Sequence, residues 1–295
     1  MTNRKPLLFQ AEYEDKTPTL LYEFLKKNSG LSGRSLNNFF FKGLIYLNQR
    51  KAHSKAKIKT GDIIQVYIMN DEHLTLKPEK LPIDIVYENP EFLIINKPPL
   101  IAVHPSGNIT SGTLANRVAA YFENGGLKIK VRPVNRLDYG TSGLVIFAKN
   151  AQVQSKLSDA IRNHRLTRIY RAVVKGIPTE PEGIVALPIA TQNQRRFVNS
   201  DGMIAETHYQ VIQTFNNASL LELTLKTGRT HQIRVHLSHI GYPILGDLQY
   251  GIKSQWINRP ALHAYKLNFE KSGFLIPEIL VELPEDIKEL IGFLY

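Results

Sequence analysis

The chain contains no cysteine. This absence excludes disulfide bonds, thiolate catalysis, iron–sulfur clusters and every zinc site built on cysteine. No apolar run approaches the roughly 20 residues that a helix needs to cross a bilayer. No apolar signal-peptide stretch follows the first residues, Met1 to Pro6. We therefore expect a cytoplasmic protein that has no membrane partner.

Several motifs for common enzyme chemistry are also missing. The sequence has no phosphate-binding loop of the Walker type, no Gly-x-Gly-x-x-Gly and no Gly-x-Ser-x-Gly elbow. His231, His236 and His239 lack the His-x-x-x-His spacing of a zinc site, and no carboxylate accompanies them. We therefore expect neither a metal nor another cofactor.

Acidic residues are scarce in one part of the chain. Lys and Arg number 37 against 26 Asp and Glu, a formal net charge of +11, which favours a polyanionic partner. Between Lys26 and Lys59 there are nine basic residues and no acidic one. A charge run is often only a solvated surface, but the complete lack of acids here favours phosphate binding. The candidate RNA-binding residues are Lys26, Lys27, Arg34, Lys42, Arg50 and Lys51.

Local patterns divide the chain into two domains. Residues 1–73 are predicted to form a small α+β domain, with helices over Leu20 to Lys27 and Ser35 to Gly43 and a strand from Ile63 to Ile68. Residues 74–82 contain two prolines and form the predicted linker. Residues 83–295 make up the second domain.

The second domain alternates strands with scattered helices. Strands are predicted over residues 85–87, 92–95, 144–148, 169–175, 207–214 and 219–225, and helices over 113–122, 151–161 and 230–240. A final strand and helix are predicted in 277–295. Because strands dominate and the helices are dispersed, the fold class is α+β, with a mixed, mainly antiparallel sheet.

One carboxylate occupies a position suited to chemistry. Asp138 precedes the glycine-rich turn from Gly140 to Gly143, and an apolar strand begins directly after it. A carboxylate beside a rigid strand is held more accurately than one in a long loop. An isolated Asp in this setting can equally close an Asx-turn.

Two further residues are candidates for the same site. Arg229 is expected at the N-terminal end of a helix, where free backbone N–H groups favour anions. Tyr170 lies on a predicted strand that follows Arg162, Arg165 and Arg168. Taken alone, Arg229 could be a surface arginine and Tyr170 a core residue.

Four ordered segments resemble the RluA-type family of RNA pseudouridine synthases. They are NKPPLIAVHP, NRLDYGTSGLVIFAK, YRAVVKG and LKTGRTHQIRVHLSHIGYPILGD, and they cover residues 83 to about 275. The basic residues 1–73 are similar to the alpha-L RNA-binding domain that often precedes this catalytic domain. Asn135 stands where the family usually has His, and Leu100 where Gly is common.

The resemblance implies an isomerase that converts uridine to pseudouridine in RNA without a cofactor, acting as a monomer. By the same resemblance, Asp138 is the essential aspartate and Arg229 the arginine that pairs with it. Tyr170 is the aromatic residue that stacks on the uracil, and Arg136 the residue that helps to flip the nucleotide.

The expected substrate is ribosomal large-subunit RNA. The alternatives are a tRNA-specific enzyme and a non-catalytic RNA-binding or ribosome-assembly protein. A metal-dependent nuclease would need clustered carboxylates or histidines, which the sequence does not supply.

Overall fold

The computed structural model describes residues 7–31, 33–67, 76–127, 129–193, 195–276 and 278–295, with the side chain of Arg34 left out. The chain forms two compact units, Met1–His73 and Leu74–Tyr295. Among the described residues, no helix combines the length and the apolar character that a bilayer span requires.

The smaller unit packs two helices on a small antiparallel sheet. Its four-stranded sheet has the order β1-β6-β3-β4, and β2 pairs with β5. The buried core includes Leu21, Leu25 and Leu36, so both predicted helices present the expected apolar face. The elements are β1 (Leu7–Glu12), β2 (Thr19–Leu20), α1 (Leu21–Asn28), α2 (Gly33–Phe41), β3 (Ile45–Leu47), β4 (Arg50–Lys51), β5 (Lys57–Ile58) and β6 (Ile63–Tyr67).

The larger unit is built on a ten-stranded sheet. Its elements are β7 (Ile85–Glu88), β8 (Phe92–Lys97), α3 (Leu114–Asn124), β9 (Arg132–Pro133), β10 (Ser142–Ala148), α4 (Ala151–Arg162), β11 (Thr167–Lys175), β12 (Glu182–Val185), β13 (Ile189–Gln192), β14 (Arg195–Val198), β15 (Thr207–Thr214), β16 (Ala218–Leu225), α5 (Gln232–His239), β17 (Leu262–Asn268), β18 (Ile279–Leu280) and α6 (Glu285–Gly292).

The main path through this sheet is β12-β15-β16-β11-β17-β10-β8-β7, while β13 and β14 form a separate hairpin. β10 and β17 are parallel, and the other pairings of the main path are antiparallel. The predicted α+β class with a mainly antiparallel sheet is confirmed.

β17 lies between β11, which carries Tyr170, and β10, which begins four residues after Asp138. The sequence analysis did not predict this strand. Its parallel partner begins at the glycine-rich turn, where Gly143 has φ +109° and faces Ala264. A Cβ at Gly143 would lie 2.3 Å from the Ala264 carbonyl oxygen, so glycine is required for these strands to pair.

β10 is buried on both faces, as its apolar sequence predicts. Val145 and Phe147 belong to the core that packs against α3, whereas Leu144 and Ile146 belong to the core that packs against α4. A strand enclosed in this way is a rigid support for the turn that precedes it.

The predicted linker is partly docked on the larger unit. The Asn116 side chain on α3 donates to the Lys77 carbonyl at 2.8 Å, and the Glu79 amide donates to the Asn116 carbonyl at 3.0 Å. The Glu79 carboxylate accepts from the Gly112 amide at 2.9 Å. Residues 76–82 therefore form part of the larger unit, while residues 74 and 75 lie outside the described part of the chain.

Candidate active site

A cavity of about 530 Å³ contains both Asp138 and Tyr170. Among the described residues that line it, Asp138 is the only carboxylate. Its basic lining residues are Arg136, Arg162, Arg168, Lys226, Arg229 and Arg234. Such a positively charged cavity suits a substrate that carries phosphates.

Asn135 anchors the chain just before Asp138. Its side-chain amide donates to the Leu144 carbonyl at 3.2 Å and accepts from the Ile146 amide at 2.8 Å. Both partners belong to β10, and Asn135 itself is buried. The residue that departs from the family pattern therefore holds the Asp138 segment against the rigid strand.

Lys97 anchors the chain just after Asp138. Its fully buried ammonium donates to the carbonyls of Pro98 and Ile101 at 2.9 Å and of Tyr139 at 3.4 Å. Leu100, in the loop that Lys97 holds, has φ +59°. A left-handed backbone at this position explains why glycine is common there in the family.

Lys97 is expected to make stability depend on pH. Burial and then the charge of Arg259 lower the pKa of Lys97 to about 7 from 10.5, although Asp138 opposes them. Between these two values the unfolded chain binds the proton and the folded protein does not, so the free energy of unfolding rises with pH. From pH 7 to 9 this contribution is about 2 kcal/mol, and it should be absent in Lys97→Met. Urea titrations followed by the fluorescence of Trp256, the only tryptophan, would measure it. If the free energy of unfolding changed with pH in the same way in the wild type and in Lys97→Met, this assignment would be contradicted.

Asp138 is paired with Arg234, not with Arg229. A terminal guanidinium nitrogen of Arg234 donates to Asp138 Oδ2 at 3.4 Å. Arg229 lines the cavity, but its Nε donates to the Ile204 carbonyl at 3.0 Å, and among the described residues it forms no ion pair with a carboxylate. The expected Arg229–Asp138 pairing is therefore wrong. α5 begins only at Gln232, after His231 turns the chain with φ +58°, and this turn leaves Arg229 before the helix.

A second carboxylate fixes the Arg234 guanidinium. Asp247 accepts from Arg234 Nε and from a terminal nitrogen, each at 2.7 Å, in a bidentate pair. Burial alone would raise the pKa of Asp247, but the hydrogen bonds and charge of Arg234 and the amides of Gln249 and Tyr250 lower it. Asp247 thus stays ionised and holds Arg234 toward Asp138. The sequence offered one signal for Arg234, since it lies five residues after Arg229 in the same family-like segment.

Tyr170 lies in the cavity wall on β11 and is 5% exposed. Burial raises the pKa of its hydroxyl, Arg168 opposes the rise and Asp138 adds to it. The phenol therefore remains protonated at neutral pH. The structure brings together Asp138 and Tyr170, as the sequence predicts, and adds Arg234 and Asp247.

The remaining predicted residues whose side chains the structure describes lie at exposed positions. Arg136 is exposed at the edge of the cavity. In the smaller unit, the side chains of Lys26, Lys27, Lys42, Arg50 and Lys51 are exposed. The side chain of Arg34 lies outside the described part of the structure. The described residues include no group of three or more His, Cys, Asp or Glu that could hold a metal.

A family model described as RNA pseudouridylate synthase matches residues 91–239, the part of the chain that contains Asp138, Tyr170 and Arg234. The chain belongs to the RNA pseudouridine synthase family. It is thus an isomerase that converts uridine to pseudouridine in RNA, and its resemblance to the RluA type is confirmed.

Relatives of this synthase include the Bacillus subtilis protein named uncharacterized RNA pseudouridine synthase YlyB. The two are 38% identical over 258 residues, which cover 84% of this chain and 85% of YlyB. Ribosomal large subunit pseudouridine synthase D of Haemophilus ducreyi is 36% identical over 257 residues, covering 81% of this chain and 78% of that protein.

Among solved structures, human RNA pseudouridylate synthase domain containing 4 has the same fold as this synthase. The superposition covers 72% of this chain and 92% of the human chain, with a TM-score of 0.60 and 23% identity.

Proposed function

We propose that this enzyme isomerises uridines in large-subunit ribosomal RNA, with Asp138 as the reacting carboxylate. The observation that carries the assignment is the Arg234-paired carboxylate, 20% exposed, in a cavity otherwise lined by basic and uncharged side chains. Similarity to a ribosomal large subunit pseudouridine synthase supports the choice of RNA. A ribosomal substrate implies a cytoplasmic enzyme, and a tRNA substrate is the alternative.

The reaction requires a uracil that has left the base stack of its RNA helix. The bond between uracil N1 and the ribose must break, and a bond from ribose to C5 must form. The C5 proton departs and N1 gains a proton, so the atoms balance. Asp138 starts the cleavage as nucleophile or base. Since the carboxylate lies within a cavity, the nucleotide must flip out, and Arg136 at the edge would fill the vacancy.

Tyr170→Phe is expected to slow the chemistry while RNA binding persists. The ring remains available for stacking and only the hydroxyl is lost. Loss of a positioned acid–base group costs about 100-fold in kcat. If the phenolate removes the C5 proton, the wild-type rate should rise with pH above neutrality, because the raised pKa leaves little phenolate at pH 7. The variant should lack this rise. Tritium release from C5-labelled RNA would measure the rate, and equal losses of binding and rate would instead indicate a packing role.

Removing residues 1–73 is expected to weaken RNA binding and flatten its salt dependence. We propose that this unit is an alpha-L type RNA-binding domain, because the segment from Lys26 to Lys59 contains nine basic residues and no acidic residue. Each lost phosphate contact should reduce the slope of log affinity against log salt by about 0.7 to 0.9. The deletion should end at residue 73, because residues 76–82 bind α3.

Filter binding across a salt series would measure the slope for the full chain and the truncated one. The Trp256 fluorescence would report whether the larger unit still folds. The maximal rate on saturating RNA should change less than affinity, since the cavity residues remain. An unchanged slope would show that the basic residues form only a solvated surface.

The choice of RNA is tested by mapping pseudouridines in cells. A strain that lacks this gene should lose pseudouridine at defined positions of large-subunit ribosomal RNA, and the wild-type gene should restore them. The same gene carrying Asp138→Asn should not. Loss confined to tRNA would overturn the ribosomal assignment and leave the isomerase assignment intact.

A further inference from the structure

A chain of polar groups runs from the β13–β14 hairpin to Asp138. The Arg196 backbone amide donates to Tyr250 Oη at 3.2 Å. Tyr250 Oη lies 2.9 Å from His231 Nδ1. His231 Nε2 lies 3.8 Å from Asp138 Oδ1. Within the described part of the chain, the Tyr250 hydroxyl has these two hydrogen-bond partners.

The chemistry of these groups fixes the direction of the first hydrogen bond and favours one direction for the second. A backbone amide can only donate, so Tyr250 Oη accepts from Arg196. The single proton of the hydroxyl then has a partner among the described residues only if His231 Nδ1 accepts it. A neutral imidazole that accepts at Nδ1 carries its proton at Nε2, the nitrogen that faces Asp138.

We infer that Tyr250 holds His231 in the Nε2–H tautomer, and that the two are positioning residues for the Asp138 carboxylate. This inference rests on the proposed role of Asp138. His231 would point its N–H toward one carboxylate oxygen, Oδ1, from 3.8 Å, while Arg234 donates to the other, Oδ2. The carboxylate is thereby oriented from two sides by the residue that precedes α5 and by a residue of its first turn.

The surroundings of the imidazole favour its neutral form. Burial lowers the pKa of His231, and the charges of Arg234 and Arg196 lower it further, against the opposing charges of Asp138 and Asp247. A protonated imidazole would donate at Nδ1 as well. Tyr250 Oη would then have to accept two hydrogen bonds, and its own proton would lose its partner among the described residues.

Tyr250 also supports Arg234, the second donor to Asp138. Its amide donates to Asp247 Oδ1 at 3.2 Å, and its ring lies beneath the Arg234 guanidinium, 4.9 Å from ring centre to Cζ. Tyr250→Phe would keep the ring and the backbone amide. The variant therefore removes only the hydroxyl from the polar chain, and we expect it to fold.

The tautomer itself is measured by ¹⁵N NMR of the imidazole nitrogens in the full-length protein. There are nine histidines, so the His231 signals are assigned by their loss in a His231→Gln spectrum. We expect a bare Nδ1 and a protonated Nε2 at neutral pH in the wild type, and a mixture of both tautomers in Tyr250→Phe. A protonated Nδ1 in the wild type would overturn the inference. This readout needs no activity, so it separates failure here from failure of the Asp138 assignment.

The consequence for catalysis is measured with matched variants. Tyr250→Phe should lower kcat about tenfold with little change in KM, because a misplaced reacting group costs rate more than binding. Tyr121→Phe is the control, since its hydroxyl donates to Glu88 at 2.6 Å and lies outside the cavity lining. Equal rates for these two variants would overturn the positioning role.

Substitution of His231 separates positioning from backbone conformation. Glutamine places an amide N–H near the Nε2 position, whereas the shorter asparagine reaches only the Nδ1 position. Asparagine suits the left-handed backbone at φ +58° better. We expect His231→Gln to retain several-fold more activity than His231→Asn. The reverse order would show that His231 serves only to begin α5.

Discussion

Asp138→Asn is expected to abolish isomerisation, lowering kcat by about ten-thousand-fold or more, while RNA affinity stays near that of the wild type. The amide keeps the shape of the carboxylate but loses the negative charge that bond cleavage requires. The basic side chains elsewhere in the cavity remain available to bind RNA. Tritium release from C5-labelled uridine in a transcript would measure the rate, and filter binding would measure the affinity.

Two controls make this result interpretable. Unchanged Trp256 fluorescence and urea midpoint would show that the variant is folded. Asp159→Asn removes a carboxylate on α4 that pairs with exposed Arg162 and Arg165, outside the cavity lining, and should leave kcat unchanged. Turnover of Asp138→Asn at the rate of the Asp159→Asn control would reject Asp138 as the reacting group.

Arg234→Ala should both cripple turnover and destabilise the larger unit by about 3 kcal/mol or more. Asp138 would lose its guanidinium partner. Asp247, whose side chain is 1% exposed, would be left as an unpaired buried charge. Lysine is a poor substitute, because it cannot reproduce the bidentate geometry toward Asp247. Tritium release and urea unfolding would measure the two effects.

Arg229→Ala is the matched control for Arg234→Ala. It makes the same chemical change in the same cavity, but the Arg229 side chain bonds only a backbone carbonyl among the described residues. Its stability should change by less than about 1 kcal/mol, and any loss should appear mainly in RNA affinity. If Arg229→Ala were the variant that lost turnover and Arg234→Ala stayed active, the pairing seen in the structure would not operate in catalysis.

The sequence by itself determined the family and the class of fold, and it singled out Asp138, the carboxylate that we propose as the reacting group. These features are local. The turn from Gly140 to Gly143, the apolar strand after it and the short helices of residues 1–73 follow from backbone preferences and hydrophobic periodicity over a few residues. The alternation of strands with dispersed helices likewise indicated the α+β class.

The tertiary structure decided which arginine meets Asp138 and how the site is held. Arg229 and Arg234 lie five residues apart, and both are basic residues near one helix start. What distinguishes them is the left-handed backbone at His231 and the position of Asp247, which reaches Arg234 from thirteen residues away. β17 was likewise missed, although its pairing with Ser142 and Gly143 joins the halves of the sheet. The Asp138–Arg234 contact spans 96 residues. Contacts of this kind depend on strand pairing between distant segments, and local sequence patterns carry no information about which distant segments will pair.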